Sequence, residues 1–478
     1  MILLNERAVS DDNAESSPVS EGSSGASPPG FPWEKYRLRV QSPDLRAEGL
    51  APNSVPYLAS EISVGAARTS ASDAASPPKR AFDKTRRISG ALNLLTRGEI
   101  VLVSLSVMGL VAAALVLLDA RDAQEIGAFA LIALAPLTVV VALLVWADRY
   151  APIRARYLLL SGLWGAGIAT LIAGLVNSGL FQDFVATIGD VSEAEVLTAV
   201  AVAPVSEEVL KGAGVVLILL FARKYVVSST NGLVVGAVAG AGFAYVENVQ
   251  YFLQAHSQGS AILGMTIVAR AVLSPFIHPM ATSFTGFLFA LALLKRPPWW
   301  GWVWRTAVGF VVAIAIHALW NGLASVGTMW LVLYLVVELP LFIAWMVWVL
   351  RRARRQAQVI RLGLSPYVAA GWLSAQEVQM VCDRRARRYA RRWARRVGRE
   401  ARKAVKRYLI AAGRLGSDQV NMERTGPDEA RVVLARQSLA DLLKARARYL
   451  ELGALHDATK QAGRRRPRKE DRQKGASQ

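Results

Sequence analysis

The chain is 478 residues long, 53% of them hydrophobic, and carries a net charge of +20. The hydrophobic residues are concentrated in apolar runs of about twenty residues, long enough to cross a hydrocarbon core of roughly 30 Å, which excludes an ordinary soluble protein. Most basic residues lie outside these runs, as on the cytoplasmic face of a membrane protein, so no nucleic-acid partner is expected. Cys382 is the single cysteine, which excludes an intramolecular disulfide and a cysteine-based zinc site.

The first part of the chain, residues 1–92, is rich in Ser, Ala, Gly, Pro and charged residues, with no sustained period of a helix or a strand. Such a composition does not bury a core, so we expect a disordered cytoplasmic tail. Residues 93–352 contain the apolar runs and are expected to be the transmembrane core. Residues 353–478 are strongly basic, and we expect a helical cytoplasmic region that ends in a tail.

Eight apolar runs lie in the core, so the predicted fold class is an all-α, polytopic membrane protein. They fall at approximately 100–118, 126–146, 157–176, 196–221, 233–253, 265–294, 303–323 and 329–350. Basic clusters precede the first run and follow every even-numbered one, whereas the other connections are neutral or acidic. The positive-inside rule therefore predicts a multi-pass protein of the cell membrane with both termini in the cytoplasm. The sixth run is long for one crossing, which a tilt or a re-entrant start near Pro275 would accommodate.

Four of the predicted spans contain polar residues, which are costly at bilayer depth and therefore rare unless paired or functional. They are Glu207, Glu208 and Lys211 in the fourth span, Glu247 and Asn248 in the fifth, His278 in the sixth, and His317 and Asn321 in the seventh. At 1.5 Å per residue, one such group in each span falls roughly 9–18 Å below the outer surface. This agreement in depth predicts one shared site that opens toward the outer half of the bilayer.

The spacing of these residues within each helix supports a shared site. Lys211 follows Glu207 by four residues and Glu208 by three, so its ammonium can reach either carboxylate. Pro204 removes a backbone hydrogen bond just before the two carboxylates. In the later spans, His317 and Asn321 share one helix face, and so do Phe243 and Glu247.

Hydrolysis is the chemistry that such a set supports. A carboxylate can take a proton from water, and a histidine and an asparagine amide can donate to an oxyanion. Alternatively, two histidines and a glutamate could bind a divalent, zinc-type ion while another glutamate acts as the base. The His-Glu-x-x-His zinc-protease motif is absent, and so is a Gly-x-Ser-x-Gly nucleophile motif.

Two other functions are compatible with intramembrane Glu, Lys and His. The residues could simply hold helices together through a buried ion pair and hydrogen bonds, as in a non-catalytic scaffold. They could also form the proton or ion path of a transporter. A path should extend toward both faces, and the inner halves of the fourth to seventh spans are almost purely apolar, which disfavours a transporter.

The basic region after the last span begins with a helix-start signal, because Ser374 and Glu377 have the spacing of a capping box. Apolar residues then recur at spacings of three or four among many arginines. They are Tyr389, Trp393, Val397, Ala401, Val405 and Tyr408. A basic helix with such a stripe suits the inner membrane surface, where its cations would contact anionic lipids. The alternative is a helical hairpin, in which the stripe packs on a second helix at about 427–452.

The intramembrane motifs resemble the PrsW family of intramembrane proteases, within the superfamily of CAAX-processing proteases and bacteriocin-processing membrane enzymes. The resemblance rests on Glu207-Glu208-x-x-Lys211, Phe243-x-x-x-Glu247-Asn248, the span with His278, and His317-x-x-x-Asn321. CAAX-type relatives have a histidine where this chain has Glu247, and here His278 supplies a histidine from the next span. The resemblance covers residues 196–322.

This resemblance implies a protease that cuts membrane-protein substrates, such as single-span anti-sigma factors, in or near the outer part of the bilayer. Glu208, with Glu207 as the alternative, would activate the water, and Lys211 would pair with the other carboxylate. His278 and His317, with Glu247, would bind a divalent metal such as Zn²⁺ or stabilise the oxyanion, with Asn321 and Asn248 orienting them. Relatives are described as metallopeptidase-like, and a metal-free glutamate mechanism is also argued for them.

Overall fold

The computed structural model describes residues 96–120 and 122–465. Within these ranges the regular structure is helical, with no strand, so the predicted all-α fold class is confirmed. The predicted tail at 1–92 lies outside the described residues, as does the end of the chain from residue 466.

The membrane domain is a bundle of helices. In chain order they are α1 (Arg97–Ala120), α2 (Ala123–Ala147), α3 (Ala155–Ile188), α4 (Ala203–Ala222), α5 (Ser229–Ser257), α6 (Ser260–Ile267), α7 (Ile277–Lys295), α8 (Trp299–Ala324) and α9 (Trp330–Ala369). Among the described residues, seven helical stretches are long and apolar enough to cross a membrane, and α6 and α7 share one of them. The predicted fourth span, α4, is not among the seven because it contains three charged residues, so the predicted count of eight is not confirmed.

The long sixth span is interrupted. A π-helical turn, Val268–Leu273, follows α6, and residues 274–276 are not helical before α7 begins at Ile277. The irregularity that was predicted near Pro275 is therefore present as a break in the helix.

Further π-helical turns interrupt other helices of the membrane domain. They are Gly165–Ala169 within α3, Thr198–Val202 between Val191–Leu197 and α4, and Tyr334–Glu338 within α9. A π turn inserts one residue into an α-helix and frees a backbone carbonyl, and such turns are frequent at functional sites. Of the four π turns in the described residues, Thr198–Val202 and Val268–Leu273 adjoin intramembrane polar residues.

Helix α5 lies at the centre of the bundle and packs closely against α7. Its glycines Gly232, Gly236 and Gly240 recur every four residues on one face, and a Cβ atom at each would collide with the backbone of α7. At Gly236 the colliding atoms belong to Thr282 and Ser283, and at Gly240 they belong mainly to His278. Small residues let membrane helices approach backbone to backbone, so this stripe fixes how near α7 comes to α5.

The C-terminal region forms four further helices and shares a core with the membrane domain. They are α10 (Ala375–Cys382), α11 (Arg384–Val397), α12 (Arg399–Thr425) and α13 (Glu429–Arg465). The predicted capping box is present at Ser374 and Glu377. Gly398, where φ is +140°, divides the predicted apolar stripe between α11 and α12. Two side chains of the stripe, Trp393 and Tyr408, pack on Tyr449 of α13, with ring centres 6.4 Å and 5.4 Å from that of Tyr449. The stripe therefore packs as in the hairpin alternative.

A buried carboxylate ties the connection after α2 to the start of α5. Asp148 accepts hydrogen bonds from Ile153 N at 2.8 Å and from Asn231 Nδ2 at 2.7 Å. The Asn231 amide also donates to Ala151 O, and its oxygen accepts from Val227 N. Burial raises the pKa of Asp148 from 3.8 to about 7, against the smaller opposing effect of these hydrogen bonds.

The close approach of α5 and α7 predicts that Gly236→Ala destabilises the protein. Alanine in a helix interior is normally favoured over glycine by about 0.5–1 kcal/mol, but here overpacking should cost roughly 1–3 kcal/mol. Thermal unfolding in detergent should therefore show a lower midpoint. Gly264→Ala on α6, where a Cβ would meet nothing within 4 Å, is the matched control and should leave the midpoint unchanged or slightly raised. Equal midpoints for the two variants would contradict the close packing.

Asp148 predicts a pH-dependent stability. Because burial raises the folded-state pKa of Asp148 to about 7, its contribution to the stability of the fold is fully present below pH 3.8 and is lost as the pH rises through 7. The unfolding midpoint of the wild type should thus fall between pH 5 and about pH 8 more steeply than that of Asp148→Asn. The control is Asp122→Asn, at the exposed N-cap of α2, which should keep the wild-type slope. Parallel curves for wild type and Asp148→Asn would refute the prediction.

Candidate functional site

Side chains from α4, α5, α7 and α8 meet inside the membrane domain, around the ammonium of Lys211. Its Nζ lies 2.6 Å from Glu208 Oε1 and 3.4 Å from Glu207 Oε2 on the same helix. It also lies 3.1 Å from His278 Nδ1 of α7 and 4.0 Å from the ring centre of Phe243 of α5. Lys211 is fully buried, so these contacts replace its hydration.

The two carboxylates of α4 have different surroundings. Glu208 is fully buried, and its Oε1 contacts both Lys211 and His317 Nδ1, the latter at 3.2 Å. Its Oε2 accepts a hydrogen bond of 2.8 Å from Thr282 Oγ1. Every partner of Glu208 is therefore a protein group at short range.

Glu207 has longer and weaker contacts. Its Oε1 accepts from Asn177 Nδ2 at 3.3 Å, and its Oε2 lies 3.4 Å from Lys211 and 3.7 Å from His317 Nε2. Glu207 is 5% exposed, on the side where Asn177 and Ser206 are half-buried. Of the two carboxylates, Glu207 is the one with room for a further hydrogen-bond donor.

The two histidines lie side by side, with ring centres 4.8 Å apart and planes nearly perpendicular. His317 Nδ1 donates to the Glu208 carboxylate, which leaves Nε2 turned toward Glu207. An ammonium can only donate, so His278 Nδ1 accepts from Lys211, and its Nε2 donates to Glu247 Oε2 at 2.8 Å. These partners place a proton on Nδ1 of His317 and on Nε2 of His278.

Glu247 is held on its other side by an arginine that the sequence analysis did not select. Arg270, in the π turn after α6, forms an ion pair with Glu247, and its Nε donates to Asn248 Oδ1 at 2.8 Å. Its guanidinium also lies 3.8 Å from the ring centre of Tyr251. The side chain of Asn248 therefore contacts Arg270. Among the described residues it has no hydrogen bond to His278 or His317, the histidines that it was predicted to orient.

Asn321 lies near the site but serves the backbone of α4. At the π turn before α4, Ala203 N–H donates to Thr198 O, five residues earlier. The next residue, Pro204, has no N–H and cannot donate to Ala199 O in the same way. Asn321 Nδ2 donates to Ala199 O at 2.7 Å, so it satisfies the carbonyl that the proline leaves without a donor. Asn321 therefore contacts the backbone before α4 rather than the histidines that it was predicted to orient.

Glu207, His278 and His317 form a group that could hold a metal ion, since one ligand atom from each lies within 4.8 Å of the others. One carboxylate and two imidazoles are a known ligand set for catalytic zinc. Glu208 accepts a hydrogen bond from Nδ1 of His317, as carboxylates commonly do from histidines that bind zinc. The residues therefore fit a divalent ion in type and number, although Lys211 contacts two of the three. The set predicted from sequence, Glu247, His278 and His317, differs from this group in its carboxylate.

Three residues that complete the site were not predicted from the sequence. Arg270 was detectable as a charged residue within a predicted span. Asn177 follows directly after the predicted end of the third span, and Thr282 carries no sequence signal, because hydroxyl residues are common in membrane helices. The structure brings together all the predicted ionisable residues: Glu207, Glu208, Lys211, Glu247, His278 and His317.

Comparison with known proteins gives one match. Residues 154–348 match the family described as PrsW family intramembrane metalloprotease, and this range contains every intramembrane ionisable residue of the site. No curated protein matches the chain, and no solved structure does. The resemblance inferred from the motifs at 196–322 is thereby confirmed over a longer range. Residues 154–348 match a PrsW family intramembrane metalloprotease domain, which indicates that the protein is a membrane protease.

Proposed function

We propose that the polar cluster around Lys211 is the active site of this protease, and that it hydrolyses peptide bonds of membrane-anchored substrates such as single-span, anti-sigma-factor-type regulators. The observation that carries the proposal is the meeting of Glu207, His278 and His317 from three helices of the matched domain. A site that activates water requires a base and further groups that stabilise the developing charge, and these three buried side chains can supply both.

Glu207 is the carboxylate that takes a proton from the attacking water. Its contacts of 3.3–3.7 Å leave acceptor capacity for a water, whereas the oxygens of Glu208 are taken up by Lys211, His317 and Thr282. This assignment reverses the order of preference drawn from the sequence, in which Glu208 came first. A carboxylate that has accepted the proton can then pass it to the leaving amine.

The other residues hold Glu207 and the substrate carbonyl in place. Glu208 fixes the ring of His317 through Nδ1, so that Nε2 faces the same space as Glu207. The ammonium of Lys211, beside that space, supplies positive charge where the oxyanion develops. Glu247, with Arg270, fixes the ring of His278.

A divalent metal such as zinc, bound by Glu207, His278 and His317, would supply Lewis acidity to the water and to the substrate carbonyl. His317 would offer Nε2, since its Nδ1 donates to Glu208. With the ion bound, Glu207 would be one of its ligands, so the role of Glu207 as the base applies to the site without the ion.

The assignment of Glu207 predicts that Glu207→Gln abolishes cleavage while leaving the fold intact. Purified variants in proteoliposomes should be assayed against a single-span substrate, and the rate should fall by at least about 100-fold, the usual contribution of a general base. The neighbouring variant Glu208→Gln should differ in stability. Its thermal unfolding midpoint should be lower than that of the wild type, because the change removes the charge closest to buried Lys211. The matched control is Glu195→Gln, at an exposed position before α4. Wild-type cleavage by Glu207→Gln would reject this role.

The metal group predicts which substitutions change metal content. Metal analysis of protein purified with zinc should give less bound ion for Glu207→Ala and His317→Ala than for the wild type, because each removes one of three ligands. Glu247→Gln, outside the group but in contact with His278, is the matched control and should retain the ion. Equal metal content in all four proteins would contradict this ligand set.

A further inference from the structure

A cavity of about 1470 Å³ lies between the membrane domain and the C-terminal helices. Its walls come from the connection between α2 and α3, the connection between α4 and α5, and helices α11, α12 and α13. Fourteen lysines and arginines line it, against four acidic residues. The end of α4 at Ala222 lies fourteen residues after Glu208, so the cavity is roughly 20 Å from the candidate active site.

The acidic residues in the wall do not balance this positive charge. Glu400 pairs with Lys403, Glu451 pairs with Arg448, and Asp418 pairs with Arg431 outside the cavity lining. Asp441, the fourth, lies near Lys444, Arg407 and Arg414. In the described part of the chain, no carboxylate is within ion-pair distance of Arg391 or Arg395. Arg391 is therefore repelled by its neighbours Arg149 and Arg395 without a compensating carboxylate.

Two of the arginines that line the cavity have a buried Nε–H without an acceptor. Arg387 is 3% exposed, and it donates to Val381 O at 2.9 Å and to Arg149 O at 2.6 Å, while its buried Nε has no acceptor. Arg414 donates to Pro152 O at 2.9 Å, and its buried Nε also has no acceptor. Burial and the neighbouring Arg391 lower the pKa of Arg387 to about 9. Arg414 has the carboxylates of Asp418 and Asp148 nearby, but among the described residues no carboxylate forms an ion pair with Arg387. Burying such a guanidinium is costly, and an anion in the cavity would offset that cost.

The residue types indicate which anion. Guanidinium groups bind phosphate oxygens in a bidentate manner, and clustered lysines add charge attraction without strict geometry. So many cations around one space suit a ligand with more than one negative charge.

One wall of the cavity is apolar and belongs to the membrane-crossing helices. Val145 and Trp146 at the end of α2 are 46% and 38% exposed, and Leu158 of α3 also lines the cavity. The guanidinium of Arg149 lies 4.0 Å from the ring centre of Trp146, so charged and apolar surfaces adjoin there. A ligand with a phosphate at one end and a hydrocarbon chain at the other would satisfy both surfaces.

We propose that this cavity binds the phosphate headgroup of an anionic phospholipid, whose acyl chains lie along α2. The lipid bridges the connection between α2 and α3 and the helices α11 and α12. It thereby fixes the C-terminal helices to the membrane domain. The site is separate from the proteolytic one, and its test needs no cleavage assay.

The test is lipid-dependent stability of the full-length protein. Thermal unfolding should be followed in nanodiscs of phosphatidylcholine alone and in nanodiscs that also contain phosphatidylglycerol, and saturable binding of phosphatidylglycerol should be measured in detergent. We expect the anionic lipid to raise the unfolding midpoint and to bind saturably. Inorganic phosphate and pyrophosphate, added to detergent-solubilised protein, form the third arm and should stabilise it less.

The variant pair for this test lies on one helix. Arg391 and Arg395 of α11 line the cavity, whereas Arg392 and Arg396, with the same spacing and also exposed, do not. The double change Arg391→Gln and Arg395→Gln should weaken lipid binding about tenfold or more, while Arg392→Gln with Arg396→Gln should leave it nearly unchanged. All four positions are exposed, so both variants should fold.

Three outcomes would overturn the proposal. Equal weakening by the two double variants would mean that only the overall charge of α11 matters. Equal stability in neutral and anionic nanodiscs would exclude a lipid site. Stabilisation by pyrophosphate that exceeds the effect of the lipid would assign the cavity to a soluble phosphate compound instead.

Discussion

The membrane domain depends on the burial of one ammonium group. Lys211 is fully buried, and a charge in that position is stable only with carboxylates and acceptors around it. Glu207 and Glu208 come from its own helix, whereas its other contacts, His278 and Phe243, come from α7 and α5. The need to compensate Lys211 therefore requires α7 to lie against α4 at this depth. Glu208 in turn requires Thr282 of α7 and His317 of α8.

Helix packing and site geometry have the same origin in α5. Gly236 and Gly240 let the backbone of α7 come close, and the residues that meet these glycines include Thr282 and His278. The packing face of α7 thus carries two of the groups that surround the charges of α4. A bulkier α5 would move a histidine of the site as well as a helix. Stability and chemistry are consequently linked in this bundle, because one contact serves both.

The sequence was sufficient to predict the membranous all-α fold and the ionisable members of the cluster, because charges in apolar runs are conspicuous and their spacing along each helix is fixed. Contacts between helices depend on the rotation of each helix about its axis, which packing decides. For this reason the carboxylate of the metal group was assigned to Glu247 rather than Glu207, and Asn321 was assigned to a histidine rather than to Ala199. Arg270 is a charged residue within the predicted sixth span, but its pairing with Glu247 on another helix is visible only in the fold.

The hydrogen bond between Asn321 and Ala199 has a mechanical consequence. It joins α8 to the π turn before α4, one helical turn from His317 on the first helix and two turns from Glu207 on the second. No water in the hydrocarbon region would replace this bond if α8 slid along its axis. The bond therefore restrains sliding of α8 relative to α4 and helps to keep Glu207 and His317 in register. An opening that admits a substrate chain would meet less resistance between other helices.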